Sequence, residues 1–180
     1  MRISTSKKLN IIVGCEESQA VTKELRKLGH NAFSCDLLPS SGEHPEWHIQ
    51  GDIFPIIGSN YPFETEDGQR HQVTKWDMMI AFPPCTFLTV AGARWLYHPE
   101  DKHLPYADRR PHPKYPNRRK DQQDGLDFVQ ALMDANIERI VIENPIGAIS
   151  SQIRKPDQII QPYMFGDEAR KSTCLWLKNL

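Results

Sequence analysis

The sequence predicts an α/β protein on a mostly parallel sheet with helices on both faces, and three observations carry that prediction. An apolar run of strand length, Trp76 to Phe82, ends in Pro83-Pro84-Cys85. A second, Arg139 to Ile142, ends in Glu143-Asn144-Pro145. Proline has no N–H for a sheet ladder, so each strand stops there and presents its neighbours at the carboxyl tip. The third is a strand–helix–strand unit near the amino end. Open α/β sheets bind ligands at the carboxyl edge, so Cys85 on one tip and Glu143 with Asn144 on another are the candidate reactive groups.

At 180 residues the chain is long enough for one domain with its own core. Its 22 Lys and Arg nearly balance 23 Asp and Glu, so net charge announces neither nucleic acid nor membrane, and any basic surface must be local. Cys15, Cys35, Cys85 and Cys174 form no CxxC pair, which predicts a reducing, cytoplasmic setting. The first ten residues show neither a signal peptide nor a membrane span. The seven histidines lack zinc-ligand spacing, so no metal is expected.

Leu9 to Val13 reads as the first strand, broken by Gly14. Ser18 to Leu28 reads as a helix with Val21, Leu25 and Leu28 on one face and Gly29 at its end. Asn31 to Cys35 is the second strand, tipped by Asp36, where nucleotide-binding sheets place an acid against a ribose. A glycine-rich phosphate loop is absent. Glu16 and Glu17 at the helix start would repel a pyrophosphate. They either accommodate a ligand bearing an ammonium group, such as S-adenosylmethionine, or only stabilise the helix start; the residues leave both open. Pro39 to Gln50 reads as a loop, and Asp52 in Gly51-Asp52-Ile53 either serves as a second acid for an adenosyl group or is a solvated loop residue. Asn60 to Lys75 reads as a polar surface excursion with few core residues.

Beyond Cys85, Thr86 to Tyr97 is small and apolar and ends near Arg94. Pro99 to Gln123 carries five prolines, which exclude a helix, and the bases Arg109, Arg110, Lys114, Arg118, Arg119 and Lys120, with Tyr106 and Tyr115 between them. Such a loop either contacts nucleic-acid phosphates or is merely solvated. Asp124 to Asn136 reads as a helix, Pro156 to Ile160 as a short helix, and Thr173 to Leu177 as a late strand after Arg170 and Lys171. The end at Leu180, close behind a strand, suggests that a further element is lacking.

Four stations in this order, a glycine turn after the first strand, Gly51-Asp52-Ile53, Pro84-Cys85 and Glu143-Asn144, resemble the cytosine-C5 DNA methyltransferases, in particular small phage and prophage-type members. Cys15-Glu16-Glu17-Ser18-Gln19, His44-Pro45-Glu46-Trp47-His48 and Ile153-Arg154-Lys155-Pro156-Asp157 extend the resemblance over nearly the whole chain. It implies a Rossmann-like sheet for S-adenosylmethionine, held by Gly14, Cys15, Glu16, Glu17, Ser18, Asp36, Leu37, Asp52, Ile53 and Pro83. It implies Cys85, after Pro84, as the thiolate that adds to cytosine C6. Glu143 would hold or protonate N3, Asn144 would orient Glu143 or Cys85, and Arg170 or Lys171 would be the late basic residue touching base and acid. DNA, duplex or single-stranded, would meet Thr86, Arg94 and the six bases of the proline-rich loop. The chain departs from the family where Glu16 replaces a second glycine, Thr86 replaces Gln, and Pro145 replaces Val. No target-recognition domain is visible. A related enzyme acting on a free cytidine nucleotide and a non-catalytic nucleic-acid-binding decoy on the same fold are the alternatives. An amino-group methyltransferase is less well matched, because Cys85 and not an aromatic residue follows Pro-Pro.

Overall fold

A computed structural model describes residues 7–180; the expectation about a leader within the first six residues lies outside them. Its main sheet has seven strands: β1 (Asn10–Gly14), β2 (Asn31–Asp36), β3 (His48–Gln50), β6 (Met78–Ala81), β7 (Arg139–Pro145), β8 (Gln158–Ile160) and β9 (Thr173–Lys178). The order is β3-β2-β1-β6-β7-β9-β8. β1 pairs parallel with both β2 and β6, β2 pairs parallel with β3, and the last pair, β8 with β9, is antiparallel. The chain thus winds outward from β1 to β3 and then restarts on the other side at β6, the arrangement of a Rossmann-like fold with its switch point beside β1. Two further strands, β4 (Phe63–Glu64) and β5 (Arg70–His71), form a separate antiparallel ribbon.

The chain separates into two compact units. The first runs up to Phe82 and adds Ala135–Val141 and Leu177–Leu180. Ile11, Ile12 and Val13 of β1 are buried on both faces, as a central parallel strand requires. α1 (Ala20–Lys27) follows, and Gly29 just past it has φ +90°, the left-handed geometry that ends a helix cheaply only with glycine. The second unit comprises Pro83–Asp134 and Ile142–Trp176. Its long helix α3 (Arg118–Met133) buries Gln122, Leu126, Val129 and Leu132 along one stripe.

Several expectations are corrected. The predicted loop Pro39–Gln50 contains β3, a strand of three residues whose His48 is buried between Ser34 Oγ and the Leu38 carbonyl. Ile53 opens a short helix, α2 (Ile53–Gly58). The stretch 60–75 is not a surface excursion: Phe63 and Val73 are buried, and the Phe63 ring packs 5.2 Å from Phe33 and 5.9 Å from Trp76. α3 starts at Arg118, inside the segment expected to be proline-broken loop, because the last proline is Pro116 and only short 3-10 turns precede it. Pro156–Ile160 forms no helix; Gln158–Ile160 pairs with β9 instead. Ala148–Gln152, left unassigned by the sequence, is α4. No helix among the described residues is long and apolar enough to cross a membrane.

Candidate active site

The second unit holds the predicted reactive groups. Cys85 sits on an exposed loop, which removes the alternative that it merely fills the core. That loop is strapped carbonyl by carbonyl. Asn144 Nδ2 donates to the Pro83 carbonyl (2.8 Å), Arg118 to Thr86 (3.0 Å), Gln122 Nε2 to Phe87 (2.9 Å), and the Ala148 N–H to Leu88 (2.7 Å). The Cys85 carbonyl itself closes a turn with the Leu88 and Thr89 N–H groups. Thr89 and Gly147 form a bridge so close that a Cβ at Gly147 would overlap the Leu88 carbonyl. A cysteine whose backbone is fixed this way keeps one position relative to β7, the pre-organisation a nucleophile needs.

β7 continues through Pro145 and does not stop before it. Successive strand residues face opposite sides, so Glu143 and Asn144 cannot share one orientation. Asn144 is 1% exposed and serves the Cys85 loop, leaving its Oδ1 buried without a partner among the described residues. Glu143 is half-buried; burial pushes its carboxyl up, and nearby Lys171 opposes that shift. Of the two late bases, therefore, Lys171 is the one that senses Glu143. Arg170 is exposed on the stretch before β9. Cys174 in β9 is buried, its thiol raised by burial first and by Glu143 second. Pro84 and Thr86 are exposed beside Cys85, whereas Pro83 is buried and acts as the anchor of the loop.

The basic loop is committed to the protein's own structure. Arg109 donates to the Leu104 and Lys102 carbonyls, and Arg119 to those of Leu96 and Arg109. Arg110 clamps buried Asp101 with two hydrogen bonds of 2.7 and 3.0 Å and holds its carboxyl well below the usual range. Lys120 pairs with Asp124. The two tyrosines follow suit: Arg119 lies 4.9 Å over Tyr106, and Tyr115 packs on Trp95 and His112. One amino group of Arg118 is engaged with Thr86, as described for the Cys85 loop. Exposed Arg94 and Lys114 stack on Trp95 and Tyr115. The expected open cationic surface is thus largely a scaffold, and in Arg118 and Gln122 it contains loop-positioning residues. Sequence reading singled out Arg118 but not Gln122, and saw neither as positioning the loop, because only the tertiary fold pairs them with carbonyls 86 and 87.

The first unit holds the predicted cofactor residues. Gly14 ends β1, and a Cβ there would overlap the Ile53 side chain, which is buried against the strand end. Cys15 makes the turn in the left-handed region at φ 57°, the place where the resembled family has glycine nearby. Burial first and Asp36 second push its thiol up to about 12. Cys35 is also pushed up to about 12 by burial, then by Cys15, Asp36 and Asp52, so these acids converge on the carboxyl ends of β2 and β3. Glu16 is 5% exposed and turned inward: its carboxylate accepts from the Val21 N–H (2.5 Å), the Thr22 N–H (3.3 Å) and the Thr22 hydroxyl (2.6 Å). It caps α1 and closes that helix end to a phosphate. Glu17 bonds the Ser41 hydroxyl, and Ser18 is exposed.

Asp36 takes the Leu38 N–H and Asp52 the Phe54 N–H, each with Oδ1; among the described residues the second oxygen of each has no hydrogen bond. Leu37, beside Asp36, is 74% exposed. Two acids with open oxygens, an exposed apolar side chain next to one of them and no phosphate cradle fit an uncharged ribose and base better than a dinucleotide. Among the described residues no cluster of His, Cys, Asp and Glu could hold a metal.

No family model and no curated protein matches the chain. Among solved structures, monomeric WbdD superposes at a TM-score of 0.47 and 11% identity, over 96% of this chain and 37% of that one. A WbdD complex with the kinase inhibitor LY294002 gives a TM-score of 0.47, 11% identity, and 96% and 36% coverage. A third WbdD structure, described as a bifunctional kinase-methyltransferase, gives 0.45, 10% identity, and 96% and 35% coverage. The chain spans little more than a third of those proteins, and a likeness this distant carries no chemistry across.

Proposed function

We propose that the chain is an S-adenosylmethionine-dependent methyltransferase that methylates C5 of cytosine in DNA through a covalent Cys85–C6 adduct. The observation that supports this reading is the second unit's exposed Cys85, on a loop whose anchor Pro83 is bonded by Asn144. Next to Asn144 stands Glu143, a carboxyl raised by burial and tempered by Lys171. Cytosine C5 is a weak nucleophile until a thiolate adds at C6, which saturates C6 and leaves C5 as the nucleophilic carbon of a C4=C5 enamine. Cys85 performs that addition. Glu143 donates a proton toward N3, which draws electrons from C6; a carboxyl whose affinity for a proton is raised suits that task. Lys171 stabilises Glu143 once the proton has left. Asn144, Arg118 and Gln122 hold the loop so that Cys85 does not drift.

When bound, S-adenosylmethionine supplies an electrophilic methyl group on a sulfonium. Asp36 would hold the ribose hydroxyls, Asp52 the adenine amino group, and Leu37 the adenine face. After methylation a base takes the C5 proton, the C6–S bond breaks as C5=C6 re-forms, the N3 proton returns to Glu143, and Cys85 is regenerated as thiolate. A cytosine within a duplex must first leave the stack.

The test is methyl transfer from labelled S-adenosylmethionine to duplex DNA, single-stranded DNA and dCMP, with wild type and Cys85→Ala. Label in DNA that vanishes with Cys85→Ala supports the reading. Label in dCMP alone moves the substrate to free nucleotides. A folded wild type that labels nothing removes the enzymatic reading.

A further inference from the structure

The first unit contains a cavity of about 500 Å³ away from every residue assigned above. Lys8, Lys23, Arg26, Lys27 and His30 line it together with the pair His44 and Trp47. Lys8 and His30 precede β1 and β2, whereas Gly14 and Asp36 end those parallel strands. The cavity therefore lies at the opposite edge of the sheet from the proposed adenosyl site, roughly 15–20 Å away along the strands.

Four permanent cations line the cavity and no carboxylate does. The nearby acids are already engaged: Glu24 with Lys27 at 2.6 Å and Glu46 with His44 at 3.0 Å. Among the described residues Lys8 and Lys23 have no ion pair. Arg26 is built into the wall. Its Nε donates to the Ala32 carbonyl at 2.7 Å, and its guanidinium lies 4.9 Å over Phe33 and 4.6 Å over Trp47. His44 also stacks on Trp47, 3.8 Å away with the rings nearly parallel at 11°. The terminal amino groups of Arg26 have no acceptor among the described residues. Burial lowers the Arg26 pKa while Glu46 opposes the shift, the mark of a cation held partly out of water without full compensation. His30 takes the Leu9 N–H at Nδ1 (3.3 Å), which leaves Nε2 as its donor.

A fixed, planar Arg fork ringed by mobile lysines is the donor set that recognises phosphate oxygens. A single carboxylate would neutralise only one of these charges, whereas a run of phosphates meets several at once. We propose that this cavity binds the phosphates of a polyphosphate-bearing or phosphodiester ligand, as a second site independent of Cys85 and of the adenosyl residues.

The test uses the full chain with two probes, sodium tripolyphosphate and a short oligothymidylate, titrated by calorimetry at one matched ionic strength for comparison and, for the oligonucleotide, also over a salt series. The variants are Lys8→Gln combined with Lys23→Gln, Lys102→Gln as a surface-charge control, and Cys85→Ala. Both lysines sit at the surface, and a melting curve establishes that the pair folds. The expected result is binding that the double variant weakens about tenfold, with the salt slope of the single-stranded oligonucleotide reduced by about 1.4. Lys102→Gln and Cys85→Ala should leave it unchanged, so the result stands whether or not methyl transfer does. Tighter binding of tripolyphosphate identifies a soluble polyphosphate; tighter binding of the oligonucleotide identifies a nucleic-acid backbone. In wild type, tripolyphosphate should also shield Lys8, Lys23 and Lys27, but not Lys102, from acetylation. No binding of either probe, or a loss in the double variant no greater than in Lys102→Gln, overturns the proposal.

Discussion

Replacing Asn144 by alanine removes the 2.8 Å hydrogen bond that holds the Pro83 carbonyl, two residues before Cys85. Both partners are buried, so water cannot substitute, and an orphaned carbonyl costs about 1–3 kcal/mol. The truncation also removes Asn144 Oδ1, already buried without a partner, which offsets part of that loss. A net loss of about 1–2 kcal/mol follows, or roughly 2–8 °C in Tm for a chain of this size. Asn144→Asp separates the donor from the packing. Ionised, the Asp side chain presents only acceptors to the Pro83 carbonyl. Protonated, it donates almost as asparagine does. Its folded-state pKa is raised above the unfolded value, so its contribution is complete at low pH and is lost as pH rises through the folded value. Asn144→Asp should therefore fall below Asn144→Ala in Tm at pH 7.5 and recover toward wild type near pH 4, while Cys85 alkylation quickens as the loop loosens. Thermal melts across pH, with iodoacetamide rates in parallel, measure both. An Asn144→Asp protein as stable as wild type at pH 7.5 would refute the claim that the Nδ2 donor fixes this loop.

Three further outcomes follow from the geometry. A Cβ at Gly92 would overlap the Arg118 guanidinium, so Gly92→Ala should push Arg118 off the exposed Thr86 carbonyl, costing about 0.5–1.5 kcal/mol in urea unfolding; an unchanged urea midpoint would contradict a positioning role for Arg118. Glu143 has a folded pKa raised above its unfolded value, so its stabilising contribution is present below the ordinary carboxylate range and is lost as pH rises through the raised value. Glu143→Gln should then match wild type in urea midpoint near pH 4 and exceed it at pH 7; an identical difference at both pH values would contradict the assignment. The Cys15 and Cys35 thiols are pushed up to about 12 and Cys174 is raised and buried, so one fast-reacting thiol at pH 8 is expected, absent in Cys85→Ser. Two fast thiols in the folded wild type would count against it.

The strand ends that carry the site were legible because proline writes them into the sequence: Pro83 and Pro84 after β6, Pro145 at β7. Glycine did the same for the turn after β1 and the end of α1. β3 was not legible, since one apolar residue, Ile49, between His48 and Gln50 makes no pattern, and its parallel pairing with β2 is fixed only by the fold. β8 was misread because a proline such as Pro156 precedes a strand as readily as it opens a helix. The start of α3 was missed because Arg118, Arg119 and Lys120 are good helix formers but carry no apolar period. The site divides the same way. Cys85, Glu143, Asp36 and Asp52 could be chosen by residue type and strand position. The commitments of Glu16 to α1, of Ile53 to Gly14, and of Arg110 to Asp101 join residues that no local pattern relates.

The most direct test of the central claim is trapping with 5-fluorocytosine in DNA, where fluorine at C5 blocks the final proton loss and leaves the C6–S bond intact. With S-adenosylmethionine present, wild type should give a denaturant-stable protein–DNA adduct whose modified peptide contains Cys85, and Cys85→Ala should give none. A folded wild type that binds S-adenosylmethionine yet forms no adduct with either duplex or single-stranded substrate would contradict the account, as would an adduct that persists in Cys85→Ala.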